Sequence, residues 1–165
     1  MHFVRNAFFA DEPDARMKTV RILGIGSPSG DDQAGWLVIQ ALENRLPPGV
    51  EALRLDRPGS ALIGLLEKAA GVILIDAMQG NGKPGDIHHF ANDEWADYRT
   101  GLSSHGLGVF EALMLARELS CLPEKIDLYG MEIGSALPGD QPCAAVITAA
   151  EKLANRFANN WHGQD

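Results

Sequence analysis

Asp31 and Asp32 are the residues of this chain whose type and position most directly suggest chemistry. They stand side by side after the first apolar run, in Val20-Arg21-Ile22-Leu23-Gly24-Ile25-Gly26-Ser27-Pro28-Ser29-Gly30-Asp31-Asp32-Gln33-Ala34-Gly35. A phosphate-binding loop at this point would carry glycines and a lysine and leave the negative charge to the ligand. Here the loop supplies the anions. Two carboxylates repel a phosphate and favour a cation or acid–base work. One of the pair is expected to cap the helix that follows, which leaves the other free.

Three further stretches carry candidates. The apolar run Gly71-Val72-Ile73-Leu74-Ile75 ends in Asp76; Ser103-Ser104-His105-Gly106-Leu107-Gly108 leads into a helix; and Glu132 follows the last apolar run. Two carboxylates and an imidazole brought together form an N/O site for a borderline divalent cation, with positions left for water or a partner. Each residue also has a structural role open to it. Asp76 suits a cap or turn, His105 a helix start, and Glu132 a supporting position. Ser103 and Ser104 lack the Gly-x-Ser-x-Gly elbow of a serine hydrolase. Gly24-x-Gly26 lacks the helix-side glycine of a dinucleotide site.

These residues need a scaffold that gathers loops. Residues 19–25 read as a buried strand. Residues 31–45 read as a helix, with Ala34, Leu37, Val38, Ala41 and Leu42 on one face and Pro47-Pro48-Gly49 as its stop. Residues 51–55 alternate as a half-exposed strand, and 60–70 form a second helix. Residues 71–76 have the continuous apolar pattern of a strand buried on both faces. A Gly/Asn/Pro loop over 78–85 precedes a short strand at 86–90. That loop is too short for a parallel crossover, so the strand is expected to be antiparallel or on an edge. His88 and His89 then fall on opposite faces and read as edge surface. Residues 92–100 suggest a short helix, 105–120 a longer one with Val109, Ala112, Leu113 and Ala116 inward, 126–131 the last strand, and 142–157 the closing helix, with Val146, Ala149, Ala150, Leu153 and Phe157 as its stripe. The alternation predicts a three-layer α/β domain: a mostly parallel, twisted five-stranded sheet, helices on both faces, and one short edge or antiparallel strand. In such sheets ligands bind beyond the carboxyl ends of the strands, where the candidate residues fall.

Composition bounds the function. The chain has 165 residues, 45% hydrophobic, with 22 acidic against 14 basic residues and a net charge of -8. That size suits one catalytic domain over residues 18–160, between a flexible leader (1–17) and a short tail (161–165). The negative balance argues against nucleic acid and against an anionic membrane surface, and is compatible with a basic partner segment. Cys121 and Cys143 lack metal-type spacing and are too few for a disulfide scaffold, so a reducing cytoplasm is the default. Cys143 follows Pro142 near a helix start, where a thiolate finds some stabilisation, but a structural role is expected. No apolar run reaches membrane-spanning length. The leader's Ala7-Phe8-Phe9-Ala10 is too short for a signal peptide and runs straight into acids, and Met17 offers an alternative start.

The ordered set of segments resembles the maturation endopeptidases of nickel–iron hydrogenases. Ile22-Leu23-Gly24-Ile25-Gly26 with Asp31-Asp32-Gln33-Ala34-Gly35, then Leu74-Ile75-Asp76-Ala77, then Ser104-His105-Gly106-Leu107-Gly108, then Tyr129-Gly130-Met131-Glu132 carry the resemblance, which spans roughly residues 19 to 158. Each segment alone is weak; their order and separations are fairly specific. The resemblance implies a metal-binding triad at Asp32, Asp76 and His105. It implies as substrate the precursor of the hydrogenase large subunit, already loaded with nickel and iron, from which a short C-terminal extension is removed once. It also implies that the triad grips the substrate's nickel rather than a permanent hydrolytic metal, although another divalent ion is conceivable in the isolated protein. Ser27 stands where an Asn is common, Asp32 where some members have Glu, and the first loop looks one residue shorter.

The expected activity is therefore metal-assisted, substrate-gated peptide hydrolysis, with Asp31 stabilising the loop or assisting proton transfer. One-to-one docking on a precursor suits a monomer. Two other functions fit the same residues: a nickel-sensing assembly checkpoint that leaves the cut to another protein, and an unrelated α/β hydrolase with an acidic metal site.

Overall fold

The computed structural model describes residues 19–91, 94–95 and 108–162. In chain order these form β1 (Val20–Gly26), a 3-10 turn (Gly30–Gln33), α1 (Ala34–Ala41), β2 (Val50–Asp56), α2 (Ala61–Glu67), β3 (Gly71–Met78), β4 (Ile87–Ala91), α3 (Val109–Glu118), β5 (Lys125–Glu132) and α4 (Ala144–His162). The strands make one five-stranded sheet in the order β2-β1-β3-β5-β4. All pairings are parallel except β4 with β5, which is antiparallel. The short strand after the 78–85 loop, expected to be antiparallel or on an edge, is both; its loop length accounts for the antiparallel direction.

Alternation within the central strands divides the core in two. Ile22, Ile75 and Tyr129 point to one face, where α1 and α4 cover them with Val38, Leu42, Val146, Leu153 and Phe157. Leu23, Leu74 and Leu128 point to the other, beneath Leu62 and Leu66 of α2 and Val109, Ala112 and Leu113 of α3. Removing each such aliphatic side chain from water contributes roughly 1.5–3 kcal/mol, so the three layers hold through burial on both faces. The apolar stripes expected for α1, α3 and α4 are the inward ones.

Two glycines let α1 settle directly on the sheet. A Cβ on Gly35 would lie 2.7 Å from the Ile75 carbonyl oxygen, and one on Gly24 would collide with the Gly35 carbonyl and Ile39. Gly24 therefore serves strand–helix contact, which explains a Gly-x-Gly that matches no nucleotide fingerprint.

Several boundaries differ from the sequence reading. The helix expected over 31–45 is a 3-10 turn followed by eight α-helical residues. Its end comes early because Leu42 closes the last turn and Asn44 adopts a positive φ of 60°. β3 does not stop at Asp76, because Ala77 and Met78 continue to pair with Met131 and Glu132. Glu132 is the last residue of β5 rather than a residue beyond it. The closing helix begins two residues later than expected and runs on to His162. Of the segment read as a short helix over 92–100, only residues 94–95 are described, in a tight turn. Residues 105–107 of the next helix, the leader and the end of the tail lie outside the described residues. Among the described residues no helix is long and apolar enough to cross a membrane.

Candidate active site

A pocket opens at the carboxyl ends of β1, β2 and β3. Ile25, Gly26, Asp32, Arg57-Pro58-Gly59, Leu62, Asp76, Gly108 and Val109 line it. Gly26 ends β1 and the next turn brings Asp32 back over it, while β3 carries Asp76 on the neighbouring strand. Parallel pairing of β1 with β3 thus brings together two acids far apart in sequence, at the edge where this class of sheet binds ligands.

Both acids are almost fully buried, each 3% exposed. Asp32 accepts a very short hydrogen bond from the Ser27 hydroxyl, itself buried. Asp76 accepts one from the Ala77 amide at 2.9 Å. One amide does not repay the loss of water around a carboxylate. Burial, and then the negative charge of Asp32, push the Asp76 carboxyl up from its usual 3.8 to about 8, against the opposing pull of the Ala77 amide. At neutral pH Asp76 therefore retains a proton that a cation lodged between the two acids would displace. The pair suits sharing a proton or holding a cation.

Asp31 turns elsewhere. Its Oδ2 accepts from the Gly134 amide at 2.9 Å and its Oδ1 from the Cys143 amide at 2.6 Å. Backbone bonds reinforce the joint: the Gly30 amide donates to the Asp140 carbonyl and the Asp31 amide to that of Ser135. Gly30 makes this possible with a φ of 52° and the Ser135 carbonyl pressed against the place of a Cβ. The expectation that one acid of the pair caps the following helix is corrected. Neither carboxylate bonds the first turn of α1, and Asp31 instead holds amides ahead of α4. The reason is tertiary: two amides of residues 134–143 offer better partners than the adjacent tight turn.

Glu132, 2% exposed, holds the 79–86 loop and is not among the residues lining the pocket. Its Oε2 accepts from the Gly80 amide at 2.8 Å and its Oε1 stands 3.3 Å from Nε2 of His88. His89 meets Asp127 at 3.0 Å and stacks on Tyr129. The histidine pair is divided between two faces of the edge strand. Cys121 and Cys143 are both free thiols. His105, Ser103 and Ser104 lie outside the described residues, and among the described residues no three acids, histidines or cysteines could jointly hold a metal ion. Two of the proposed ligands are therefore described, and they meet in one pocket.

Sequence reasoning missed Ser27 as a partner of Asp32, and missed Arg57. The Arg57 amide donates to the Gly26 carbonyl, its guanidinium meets Asp56 at 2.7 Å, and it lines the pocket. The available signal was Arg57-Pro58-Gly59, a turn at the carboxyl end of a strand that must lie beside β1.

Comparison with known proteins agrees with this architecture. The family model described as "HycI: Hydrogenase maturation protease" matches residues 38–154. The chain belongs to the hydrogenase maturation protease family. Among solved structures it is similar to a NiFe hydrogenase maturation protease HycI from Thermococcus kodakarensis KOD1, with 25% identity and a TM-score of 0.73 over 88% of this chain and 94% of that one. It is similar to the hydrogenase maturating endopeptidase HybD from E. coli, with 26% identity and a TM-score of 0.73 over 86% and 93%. A hydrogenase 2 maturation peptidase from Thaumarchaeota archaeon SCGC_AB-539-E09 shares the fold, with 23% identity and a TM-score of 0.67 over 88% and 99%. No curated protein matches the chain significantly. The protein is thus a peptidase of hydrogenase maturation.

Proposed function

We propose that this protein cuts the C-terminal extension from a nickel-loaded NiFe-hydrogenase large-subunit precursor, and that Asp32 and Asp76, with His105, read the nickel. The observation that carries the proposal is the buried Asp32–Asp76 pair in a pocket open to a ligand. One acid there is held protonated near neutral pH by its neighbour and its burial. Such a pair is costly for the apo protein and gains most from an incoming cation.

Nickel is the substrate's own metal here, and the protein contributes ligands at positions the precursor leaves open. Asp32, fixed by Ser27, and Asp76, fixed by Ala77, would grip it from two strands. His105 stands three residues before Gly108, which lines the pocket, so the two are at most about 10 Å apart along the chain. Its imidazole completes an N/O set suited to nickel. Binding displaces the Asp76 proton and positions the scissile peptide bond against the pocket wall. Asp31 holds the loop through Gly134 and Cys143, which supports the loop-stabilising part of its expected role. In the isolated protein the same pair could take another divalent cation.

The test is the mass of purified precursor incubated with the wild type and with Asp32→Ala. Loss of a C-terminal peptide with the wild type alone supports the proposal. Processing by a folded Asp32→Ala protein at the wild-type rate contradicts it.

A further inference from the structure

β2 is an edge strand whose outer side pairs with no described residue. The direction of its backbone groups follows from two hydrogen bonds. The Val20 amide donates to the Gly49 carbonyl, and the Arg57 amide donates to the Gly26 carbonyl. Positions 49 and 57 thus face β1, and strand alternation turns 51, 53 and 55 the same way. The amides and carbonyls of Ala52, Arg54 and Asp56 point outward.

Proteins usually protect such an edge with proline, a bulge or projecting charges. β2 has no proline, and its register with β1 runs unbroken from Val50 to Asp56. Two of its charges are folded back onto the protein: Glu51 pairs with Arg21 at 3.1 Å, and the Arg54 guanidinium lies 4.7 Å from the centre of the Trp36 ring. Trp36 also donates to the Leu55 carbonyl, fixing the strand from above. The carboxyl end of β2 continues into Arg57-Pro58-Gly59, which line the pocket, whereas no residue of β4, the other edge, does so.

We propose that this edge is the docking strand for the substrate. The precursor's C-terminal extension adds to the sheet as a sixth strand, running antiparallel to β2 away from the cut. The inference rests on the peptidase reading above. An endopeptidase of one site must hold an extended segment beside that site, and among the described residues the β2 edge is an unpaired backbone edge continuous with the pocket. Strand addition recognises backbone rather than side chains, so it suits a segment discarded after one use. Neighbouring strands lie about 4.8 Å apart, so the path from the added strand across β2 and β1 to Asp76 covers roughly 10–14 Å, or about three to four extended residues. The cut then falls three to four residues before the residue that first pairs with Asp56.

The test uses the full chain with nickel-loaded precursor. Ala52→Pro and Arg54→Pro each delete an outward amide without removing a bond inside the sheet, a position where proline is tolerated. Each is expected to raise KM for the precursor about two- to tenfold, with kcat and the thermal unfolding midpoint little changed. Arg54→Ala keeps the amide and retains the wild-type KM. An unchanged KM in the folded double-proline variant overturns the proposal. Independently of any variant, hydrogen exchange at the amides of Ala52, Arg54 and Asp56 in the wild type slows on precursor binding. Exchange that stays the same in a bound complex also overturns it. A wild type that binds and cuts nothing defeats the peptidase reading itself, a different result from intact cutting with an indifferent edge.

Discussion

Asp31 and Asp32 are neighbours in sequence and opposites in environment. Asp31 is buried with both oxygens satisfied by amides from the 134–143 segment. Asp32 is buried with, among the described residues, one side-chain hydrogen bond, from the Ser27 hydroxyl; the Arg57 cation lies within electrostatic reach, and a second acid faces it whose ionisation it opposes. The first arrangement joins the β1–α1 turn to the start of α4 and stabilises the fold. The second leaves charge poorly compensated inside the protein. Burying a carboxylate costs several kcal/mol unless it is paired, so a site of the second kind persists where a ligand completes it. On the proposed reading, the difference separates a scaffold role from a ligand-binding one within one dipeptide.

Substitutions should therefore have effects of different kinds at the two places. The largest expected effect is on processing. Asp32→Ala and Asp76→Asn lower the rate of precursor cleavage by at least about a hundredfold while remaining folded, read by precursor mass over time. Next is stability at the clamp. Asp31→Ala leaves two part-buried amides without their carboxylate and costs roughly 1–3 kcal/mol, read as a lower urea midpoint. If Asp32→Ala unfolds the protein as readily as Asp31→Ala, the contrast between the two residues is broken.

The third expectation sharpens the contrast through pH. Asp76 holds its proton in the folded protein up to about pH 8, whereas the unfolded chain loses it near 4. Between those values the folded state binds more protons than the unfolded one. The contribution of Asp76 to stability therefore falls as pH rises, by up to about 1.4 kcal/mol per pH unit, and levels off above 8. Asp76→Asn removes this slope, so metal-free variant and wild type diverge in the variant's favour from pH 5 to 8. Urea denaturation across that range measures it, and parallel curves contradict the assigned environment. The smallest effect is expected at the surface: Glu51→Ala, which breaks the pair with Arg21, changes stability by under about 1 kcal/mol and leaves cleavage intact.

Much of this was legible in the chain because its signals are local. Alternation in Ile22-Leu23 and Leu74-Ile75 announced strands buried on two faces, and the eight-residue loop after Met78 announced an antiparallel neighbour. That Asp32 and Asp76 both fall at the carboxyl edge of the sheet was legible from the strand pattern, and the family resemblance implied their grouping; that β1 lies beside β3 is what the structure adds. The division of labour between Asp31 and Asp32 was not legible, since the amides that capture Asp31 lie 103 and 112 residues further along. Nor was the extension of β3 past Asp76, which comes from pairing with Met131 and Glu132. Ser27 was legible only as a departure from the family's common Asn, since nothing in the sequence turns its hydroxyl to Asp32. His105 falls outside the described residues, so its role rests on its place in the chain.

The central claim is that the two acids read nickel in the substrate. The most direct measurement mixes the wild-type protein with nickel-loaded and with nickel-free large-subunit precursor and follows the mass of each. The account predicts loss of a C-terminal peptide from the loaded form alone. Equal cleavage of both forms, or cleavage of the nickel-free form first, would contradict it.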